Sequence, residues 1–410
     1  MKAQFGLRDI LFLCAVVAAL PLVAAAASGT ARAAEAGSET SAELLLGQDA
    51  AGGNWTVAPA VRSDGFLRLF DVKTPYGDFQ VNGWRRMNER LQEFRALQTL
   101  ERMSRTEVFA DALARGGLAP IRFGRDFVLD PVETTGNLIS GVGRMFRNVA
   151  ASVSNAGSSR DPLFDRLVGI TAAERELAFE LQVDPYSDFT PLRHGLEDVA
   201  HAMVAGGLTV SVAMSAIPGG AGTAVSATSR AAGFADSVYS KTSDEITVLV
   251  TEKLEALRVD EATIAKFNGN RWYSPNDQFA IAEALEKLNA ADSALFVSLA
   301  ADADGYDVAK FHRYRAELLA NESARLGTLS GFVIVSDMAI NRDAAGRWVA
   351  AFPFDVVEWT DSASGSLTRL SEELARQGGA APRIFATTGA LSAAADAELK
   401  QRGWTIVNLN

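Results

Sequence analysis

Two of the three histidines lie close together, in the stretch HGLEDVAH at residues 194–201. Side chains three and four residues apart share one face of a helix, so His194, Glu197 and His201 would offer two imidazoles and a carboxylate to a cation such as zinc. The spacing differs from that of the short two-histidine zinc motif, and Gly195 loosens the start of the helix. A polar surface on an apolar helix is therefore the favoured interpretation, with these three residues as a candidate metal site.

A second candidate site is the stretch ATTGALS at residues 386–392, between a predicted strand and a predicted helix. Thr387, Thr388 and the N–H groups that follow Gly389 are able to hold an anion there, because the first turn of a helix leaves N–H donors unpaired. An ordinary capped connection between strand and helix explains the same residues and is favoured. No cofactor is predicted.

The sequence offers little for nucleophilic catalysis. It has no Gly-x-Ser-x-Gly elbow, so a serine triad would have to take its base from His194, His201 or His312. His312 lies in the charged stretch KFHRYRAELL and is expected to be solvated. Trp272 and Tyr273 are able to stack on a sugar or a peptide, although such aromatic residues more often fix a loop onto its own domain.

Residues 1–33 have the three-part layout of a cleaved secretory signal peptide. Lys2 and Arg8 give the positive start, an apolar run follows at 10–27, and the sequence ARA at 31–33 gives a small-x-small cleavage site. The alternative is a retained membrane anchor, because the run is about as long as a short spanning helix. The only cysteine, Cys14, lies in this segment, so the cleaved chain would have no disulfide and no thiolate chemistry.

The charge of the chain argues against one class of partner. The net charge is -11, and residues 1–33 contribute +2, which leaves -13 for the rest. An acidic chain is poorly suited to holding nucleic acid or an anionic membrane by charge alone. We therefore expect no nucleic-acid partner, and membrane association is not favoured.

The first part of the remaining chain is predicted as a linker followed by a hairpin. Residues 34–60 mix Ala, Gly and Ser with little periodicity, which is typical of a flexible linker. Residues 65–83 alternate apolar and polar side chains on both sides of Pro75 and Gly77, which predicts a short β-hairpin. We expect the folded part to begin near Val61.

Residues 61–325 are predicted as one mainly helical domain. Several helix starts are suggested by a capping residue followed directly by proline, as at Asp184-Pro185 and Ser274-Pro275. The start at Ser274 is the best supported, because Asp277 follows in the first turn. After a first helix from Trp84, the predicted helices lie near 131–153, 171–181, 191–217, 221–239, 243–257, 275–289 and 305–325.

The uncharged stretch 203–229 raises the question of a membrane segment. Pro218 interrupts it too early for a spanning helix, which needs about 20 apolar residues. Its first part has a bulky side and a second side of small residues, including Gly206 and Ala213, which is typical of a helix enclosed by neighbours. We predict a buried helix at 191–217, with a membrane-inserting hairpin at 203–239 as the alternative.

The last 85 residues have a different sequence pattern from the residues before them. In residues 326–410, β-rich runs give way to an alternation of helices and strands, which predicts a small mixed α/β sheet module of order β-β-α-β-α-β. The whole chain is thus predicted as an α+β protein, with an irregular helical body, a short N-terminal hairpin and this C-terminal module.

These features favour a secreted or periplasmic, non-catalytic protein that acts by binding another component of the cell envelope. The signal segment, the acidic chain and the lack of a recognisable catalytic set support this prediction. The alternatives are an envelope hydrolase that uses His194 and His201, and the membrane-inserting protein. The ligand, the partner and the oligomeric state stay open.

Overall fold

The N-terminal part of the described chain is a small antiparallel sheet. The computed structural model describes residues 34–123, 142, 171–217, 239–378 and 381–410. Its first elements are β1 (Glu39–Ser41), α1 (Ala42–Leu46), β2 (Thr56–Val57), β3 (Ala60–Ser63), β4 (Arg68–Thr74) and β5 (Gly77–Asn82). The predicted hairpin near 65–83 is confirmed, because β4 and β5 pair antiparallel from Leu69 opposite Asn82 to Thr74 opposite Gly77.

The segment 34–60, which composition predicted as a flexible linker, instead contributes β1 and β2 to this sheet and contains the helix α1. β1 pairs with β3, with Thr40 opposite Val61, and β2 pairs with β4. Trp55 is buried and stacks on Phe94, with ring centroids 5.4 Å apart. The Ala, Gly and Ser content of the segment did not reveal these contacts, because they depend on partners far along the chain.

The residues before β1 run against the C-terminal part of the chain. The Glu35 N–H donates to the carbonyl oxygen of Trp359 at 3.0 Å, and Oε1 of Glu35 accepts from the Trp359 N–H at 2.5 Å. The Ser38 N–H donates to Oε2 of Glu358 at 3.0 Å. Residues 34–38, here called the N-terminal strap, therefore connect the first sheet to the C-terminal part.

A helical body follows, as predicted. Its helices are α2 (Trp84–Ser104), α3 (Glu107–Gly116), α4 (Ala172–Leu181), α5 (Thr190–Gly206), α6 (Val210–Ser215), α7 (Ser243–Ala256), α8 (Glu261–Asn268), α9 (Pro275–Leu288), α10 (Ser293–Ala300) and α11 (Tyr306–Glu322). Four predicted helices match α4, α7, α9 and α11 closely, whereas α3, α8 and α10 were not predicted. The predicted helices 131–153 and 221–239 lie outside the described residues, apart from Val142 and Tyr239.

The start of α9 confirms the capping argument. The Ser274 hydroxyl accepts from the Asp277 N–H at 3.1 Å, and the Asp277 carboxylate accepts from the Ser274 N–H at 3.2 Å. This reciprocal pair is a capping box, and Pro275 occupies the first helical position. Asp184-Pro185 behaves differently, because it lies in a turn and starts no helix.

The predicted helix 191–217 is broken in two. α5 ends at Gly206, and Gly207 adopts the left-handed conformation with φ 65°. The Leu208 N–H then closes the helix by donating to the carbonyl oxygen of Met203 at 2.8 Å. Glycine adopts this conformation at no steric cost, which makes Gly207 a helix end within the uncharged stretch.

The small-residue side of α5 crosses α3 at very short range. A Cβ atom on Gly206 would lie 2.5 Å from Cβ of Ala112, and one on Gly116 would lie 2.9 Å from Cβ of Ala205. The predicted contact of Gly206 with a neighbouring helix is thus confirmed, and Ala213 is buried. Among the described residues, no helix combines the length and apolar character that crossing a membrane requires.

The C-terminal part is a mixed sheet, as predicted. Its elements are β6 (Leu329–Val335), β7 (Met338–Asp343), β8 (Trp348–Phe352), β9 (Val356–Val357), α12 (Asp361–Gly378), β10 (Arg383–Thr387), β11 (Ala390–Leu391), α13 (Ala393–Gln401) and β12 (Trp404–Asn408). The strand order is β12-β10-β8-β7-β6, in which β8, β10 and β12 are parallel and β6, β7 and β8 are antiparallel.

The observed order of elements along the chain corrects the predicted β-β-α-β-α-β pattern. The run GFVIVSDMAIN at residues 331–341 turns back at Ser336 and Asp337, which both have positive φ, and therefore contributes to two strands, β6 and β7. Such a two-residue turn suits a hairpin because its twist matches that of the strands. Two further short strands, β9 and β11, pair with each other.

The helical body and the C-terminal sheet share a core. Ala309 and Ala316 of α11 belong to the same buried cluster as Val349 and Ala351 of β8. Ala34–Asn410 accordingly form one compact unit, and the predicted border between 325 and 326 lies inside it. Leu113 of α3 and Leu196 of α5 belong to a different buried cluster.

Candidate functional site

A cleft of about 570 Å³ opens where α3 and the segment after it face α5. One wall is mostly apolar and comes from the end of α3 and residues 118–121. The other wall is polar and comes from α5, and Arg122 adds a guanidinium. The residues that line the two walls are Leu113, Leu118, Ala119, Pro120 and Ile121 on the first, and His194, Glu197, Asp198, His201 and Ala202 on the second.

The spacing along α5 explains how this polar wall arises. Residues 194, 197, 198 and 201 follow each other at intervals of three, one and three, so they lie on one side of the helix. Leu196, Val199 and Met203 lie on the other side and are buried in the core. The helix therefore holds two imidazoles and two carboxylates at the cleft because its apolar side is fixed against the protein.

The two carboxylates of the cleft are electrostatically unfavourable neighbours. Burial raises the pKa of Asp198, and the nearby charge of Glu197 raises it further. The charges of His194 and His201 lower the pKa of Asp198. A cation placed between the carboxylates would relieve the repulsion between them.

The predicted metal ligands share this wall without forming a ligand set. Among the described residues, no group of three or more His, Cys, Asp or Glu side chains is placed to hold a metal ion. His194 and His201 are seven residues apart, which is roughly 10 Å along a helix. A single ion with bonds of about 2 Å does not span that separation without a bend in the helix.

Outside the cleft, a network of buried charges connects α2 to the segment 182–189. Arg86 and Arg90 of α2 both contact the carboxylate of Asp188, with Nη2 of Arg90 at 3.2 Å. Arg90 also donates to Glu93 at 2.7 Å. These four side chains are less than a tenth exposed. In the sequence, the signal of this pairing is the three-residue spacing of opposite charges on α2, from Arg86 to Glu89 and from Arg90 to Glu93.

A second part of the network connects α9 to α11. The Asp277 carboxylate accepts from Lys310 and from Arg313, each at 2.8 Å. Glu89 of α2 joins the two parts, because it accepts from Arg86 at 2.9 Å and lies 3.7 Å from Nζ of Lys310. Each carboxylate faces a cation, so the network holds α2, α9 and α11 together and needs no ligand to balance its charge.

Asp184 ties the segment 182–189 to the start of α9. Its carboxylate accepts from the Ser274 hydroxyl at 2.9 Å and from Nδ2 of Asn276 at 2.6 Å. Burial raises the pKa of Asp184 to about 6. This residue therefore serves as a bridge between two segments, and its role as a helix cap was a wrong prediction.

Asp355 makes a comparable bridge from the end of β8 to the N-terminal part. Its Oδ2 accepts from the backbone N–H of Arg68 and from that of Trp84, each at 2.8 Å. Trp84 is the first residue of α2, so Asp355 supplies the side-chain cap that Gly83 lacks. Burial raises the pKa of Asp355 to about 7, although both hydrogen bonds lower it.

We expect Asp355→Asn to flatten the pH dependence of stability. A raised pKa means that the folded chain holds a proton that the unfolded chain releases above about pH 4, so stability falls as the pH rises from 4 to 7. The asparagine oxygen is able to accept both hydrogen bonds without a charge. Urea unfolding at pH 5 and pH 8 should therefore show that the free energy of unfolding falls less between these two pH values in Asp355→Asn than in the wild type.

The matched control for this experiment is Asp304→Asn. Asp304 is exposed, so its replacement should leave the difference between pH 5 and pH 8 as in the wild type. Equal pH dependence in the wild type and Asp355→Asn would contradict the assignment of the proton to Asp355.

The second candidate site, Thr387 to Gly389, directs its polar groups at the chain itself. The Thr388 hydroxyl donates to the carbonyl oxygen of Phe354 at 2.8 Å, and the Gly389 N–H donates to the Thr387 hydroxyl at 3.2 Å. Gly389 lies so close to Asp355 that a Cβ atom would be 2.4 Å from its carbonyl carbon. Ser392 caps α13 by accepting from the Ala395 N–H, which is the ordinary capped connection that was favoured.

The remaining candidate residues are located in the core or at its margin. His312, predicted to be solvated, is buried against Phe296 and Phe311, and burial lowers its pKa to about 3. The prediction was wrong because the charged neighbours of His312 point to the buried network instead of to solvent. Tyr273 is buried and donates to the carbonyl oxygen of Ala300 at 2.9 Å, so it fixes its loop to α10.

The cleft at α5 is therefore the place where the sequence candidates and an open cavity coincide. His194, Glu197 and His201 line it together, as the helical spacing predicted, and Asp198 was not singled out as a candidate. The apolar wall was missed because α3 was not predicted at all. No protein-family model, curated protein or solved structure matches this chain.

Proposed function

We propose that this chain is an exported, non-catalytic binding protein that holds a small ligand in the cleft between α3 and α5. The cleft carries the proposal, because a volume of about 570 Å³ is in the range of ligand pockets, which is roughly 300 to 1,000 Å³. One apolar wall and a few convergent polar groups are also typical of such pockets.

The side chains that line the cleft are suited to recognising a ligand. Among the described residues of the lining, none has a hydroxyl, thiol or amine side chain. The polar groups are imidazoles, carboxylates and one guanidinium, which recognise charge and hydrogen-bonding groups. Apolar contacts with Leu118 and Ile121 would add to the binding free energy.

Export is the second half of the proposal and rests on residues 1–33. Their positive start, apolar run and small-x-small end support cleavage after Ala33. N-terminal sequencing of protein released from the cell envelope tests it, with Ala34 as the expected first residue. An intact Met1 on protein held in the membrane fraction would instead favour the retained anchor.

A change that fills the cleft should abolish ligand binding and leave the fold intact. Ala119 is exposed on the apolar wall, so Ala119→Trp places an indole in the cavity without entering the core. The probe is N-phenyl-1-naphthylamine, a neutral apolar dye that fluoresces when it leaves water. We expect saturable 1:1 binding to the wild type and at least tenfold weaker binding to Ala119→Trp.

The control is Ala114→Trp, which adds the same indole to an exposed position of α3 outside the cleft lining. It should bind the dye as the wild type does. The proposal is wrong if the wild type shows no saturable binding, or if both tryptophan variants bind the dye equally well.

The second candidate is a hydrolase that uses His194 and His201. The neighbouring Asp198 favours it, because a carboxylate next to an imidazole is a common arrangement for a general base. Ester or peptide hydrolysis by the purified chain, lost in both His194→Ala and His201→Ala, would establish this candidate in place of the first.

A further inference from the structure

We propose that the place where the N-terminal strap is bound is a peptide-binding site, which accepts an extended segment of another protein in exchange for the strap. This strap seat consists of Ser63, Arg68, Glu358, Trp359 and Ser392. The strap is in effect a bound peptide, so its contacts show that the seat recognises the pattern Glu-x-Gly-Ser, from Glu35 to Ser38. The seat shares no residue with the lining of the cleft, so this inference does not depend on the ligand proposed there.

The glutamate of the pattern is bound at the start of α13. Oε1 of Glu35 accepts from the Trp359 N–H at 2.5 Å and from the hydroxyl of Ser392. Ser392 is the N-cap residue of α13, where the helix dipole favours a negative charge. The Glu35 N–H donates to the carbonyl oxygen of Trp359 at 3.0 Å. One glutamate therefore pairs with both polar groups of the Trp359 backbone and with the cap of α13.

Close contacts fix the third and fourth positions of the pattern. A Cβ atom on Gly37 would lie 2.3 Å from the carbonyl oxygen of Ser63, which is closer than a side chain allows, so this position requires glycine. The Ser38 N–H donates to Oε2 of Glu358 at 3.0 Å. The Ser38 hydroxyl accepts from Nη1 of Arg68 at 2.7 Å, which gives the seat a contact with the serine side chain.

The strap is held without an apolar anchor, which makes it exchangeable. Ala34, Ala36 and Gly37 are exposed, and the buried clusters of the described chain contain no residue of the strap. Hydrogen bonds within a protein replace hydrogen bonds to water, so their net contribution to holding the strap is modest. A segment held in this way at the end of the compact unit Ala34–Asn410 opens at a small cost in free energy.

The seat, in contrast, is fixed by the core. Trp359 is 3% exposed and belongs to a buried cluster, and the Glu358 N–H donates to the carbonyl oxygen of Gly65 at 3.0 Å. When the strap leaves, the Trp359 backbone and the Glu358 carboxylate lose the strap as their partner. Buried polar groups without partners are costly, so the open seat favours an extended segment that restores these hydrogen bonds. Addition of an extended segment through its backbone is a common mode of peptide recognition.

Binding of a strap peptide to a variant with a displaced strap tests the exchange. The probe is a peptide with the sequence of residues 34–40, AEAGSET, with fluorescein at its C-terminus, and fluorescence anisotropy is the measurement. In Gly37→Ala the new methyl group forces the strap off the seat, whereas the wild-type strap competes with the peptide at a high effective concentration. We expect Gly37→Ala to bind the peptide at least tenfold more tightly than the wild type.

Three controls identify the binding site as the seat. Glu35→Ala, which removes the carboxylate of the strap, should also bind the peptide more tightly than the wild type does. Glu39→Ala changes an exposed residue of β1 outside the strap and should bind the peptide as weakly as the wild type. The altered peptide AEAASET should bind Gly37→Ala at least tenfold more weakly than AEAGSET, because its methyl group meets the carbonyl oxygen of Ser63.

The proposal is wrong if neither Gly37→Ala nor Glu35→Ala binds the strap peptide, or if the wild type binds it as tightly as these variants do. Equal affinity for AEAGSET and AEAASET would place the peptide outside the seat and would also contradict the proposal. A wild-type dimer in size-exclusion chromatography that Gly37→Ala converts to a monomer would assign the seat to the strap of a second copy, in place of a partner. The dye measurements decide the proposed function separately, because none of these variants changes the lining of the cleft.

Discussion

Replacing Asp277 with alanine is expected to lower the free energy of unfolding by about 3 to 5 kcal/mol, the usual effect of breaking a buried ion pair from one side. The Asp277 side chain is 2% exposed and accepts from Lys310 and Arg313 of α11. Alanine would leave both cations buried, with Glu89 as the nearest remaining carboxylate to Lys310, at 3.7 Å. It would also remove one half of the capping box at Ser274.

Urea unfolding at pH 7 provides the measurement, read as a shift of the midpoint at constant slope. Asp302→Ala is the matched control, because Asp302 is also an aspartate paired with a lysine, Lys266, but its side chain is 63% exposed. Exposed pairs contribute about 0 to 1 kcal/mol, so this variant should unfold close to the wild type. Similar losses of unfolding free energy in Asp277→Ala and Asp302→Ala would contradict the special role of the buried network.

The effect of Asp277 should also disappear in acid. Burial alone would raise its pKa, but Lys310 and Arg313 outweigh burial and lower it to about 2. A lowered pKa contributes stability that is present above about pH 4 and is lost as the pH falls towards 2. The gap in unfolding free energy between the wild type and Asp277→Ala should therefore narrow below pH 4.

Replacing Gly206 with alanine is expected to destabilise the protein by about 2 to 3 kcal/mol, although the same change in an open helix stabilises it by up to about 1 kcal/mol. The new methyl group would lie 2.5 Å from Cβ and 2.6 Å from Cα of Ala112. Neither atom belongs to a flexible side chain, so α3 and α5 would have to move apart. Thermal unfolding should show a transition several degrees below that of the wild type.

Gly365→Ala is the control, because it should not lower the stability as Gly206→Ala does. Gly365 also lies in a helix, α12, and the nearest atom to a Cβ there is the flexible end of Arg369 at 3.9 Å. This variant should be unchanged or slightly more stable, because alanine restricts the unfolded chain more than glycine does. Stabilisation by both substitutions would show that the two helices do not approach as closely as described.

The sequence was a good guide wherever the cause of a structure is local. The capping pair of Ser274 and Asp277 and the alternation around Pro75 depend on residues within a few positions of each other, and both predictions are confirmed. The apolar and small-residue sides of α5 follow from helical spacing alone, so the contact at Gly206 was predicted as well. The mixed C-terminal sheet followed from the alternation of strands and helices.

The sequence was a poor guide wherever the cause is a distant partner. Asp355 caps a helix that begins 271 residues earlier, and no local pattern marks it as a cap. The charges of α2 have the same spacing as a solvated helix face, but they are buried because Asp188 and Lys310 lie opposite them. For the same reason the polar wall of the cleft was predicted from α5, whereas its apolar wall, which belongs to another helix, was not.

The N-terminal strap imposes an order on the folding of the chain. Glu35 contacts Trp359 and Ser392, which follow it by 324 and 357 residues. The ribosome makes the N-terminus first. The strap therefore cannot form these contacts until almost all of the remaining sequence has been made. The loop that these contacts close is nearly as long as the fold itself. Within the compact unit Ala34–Asn410, the strap is thus the part that is made first, and it is among the last parts to reach its final position.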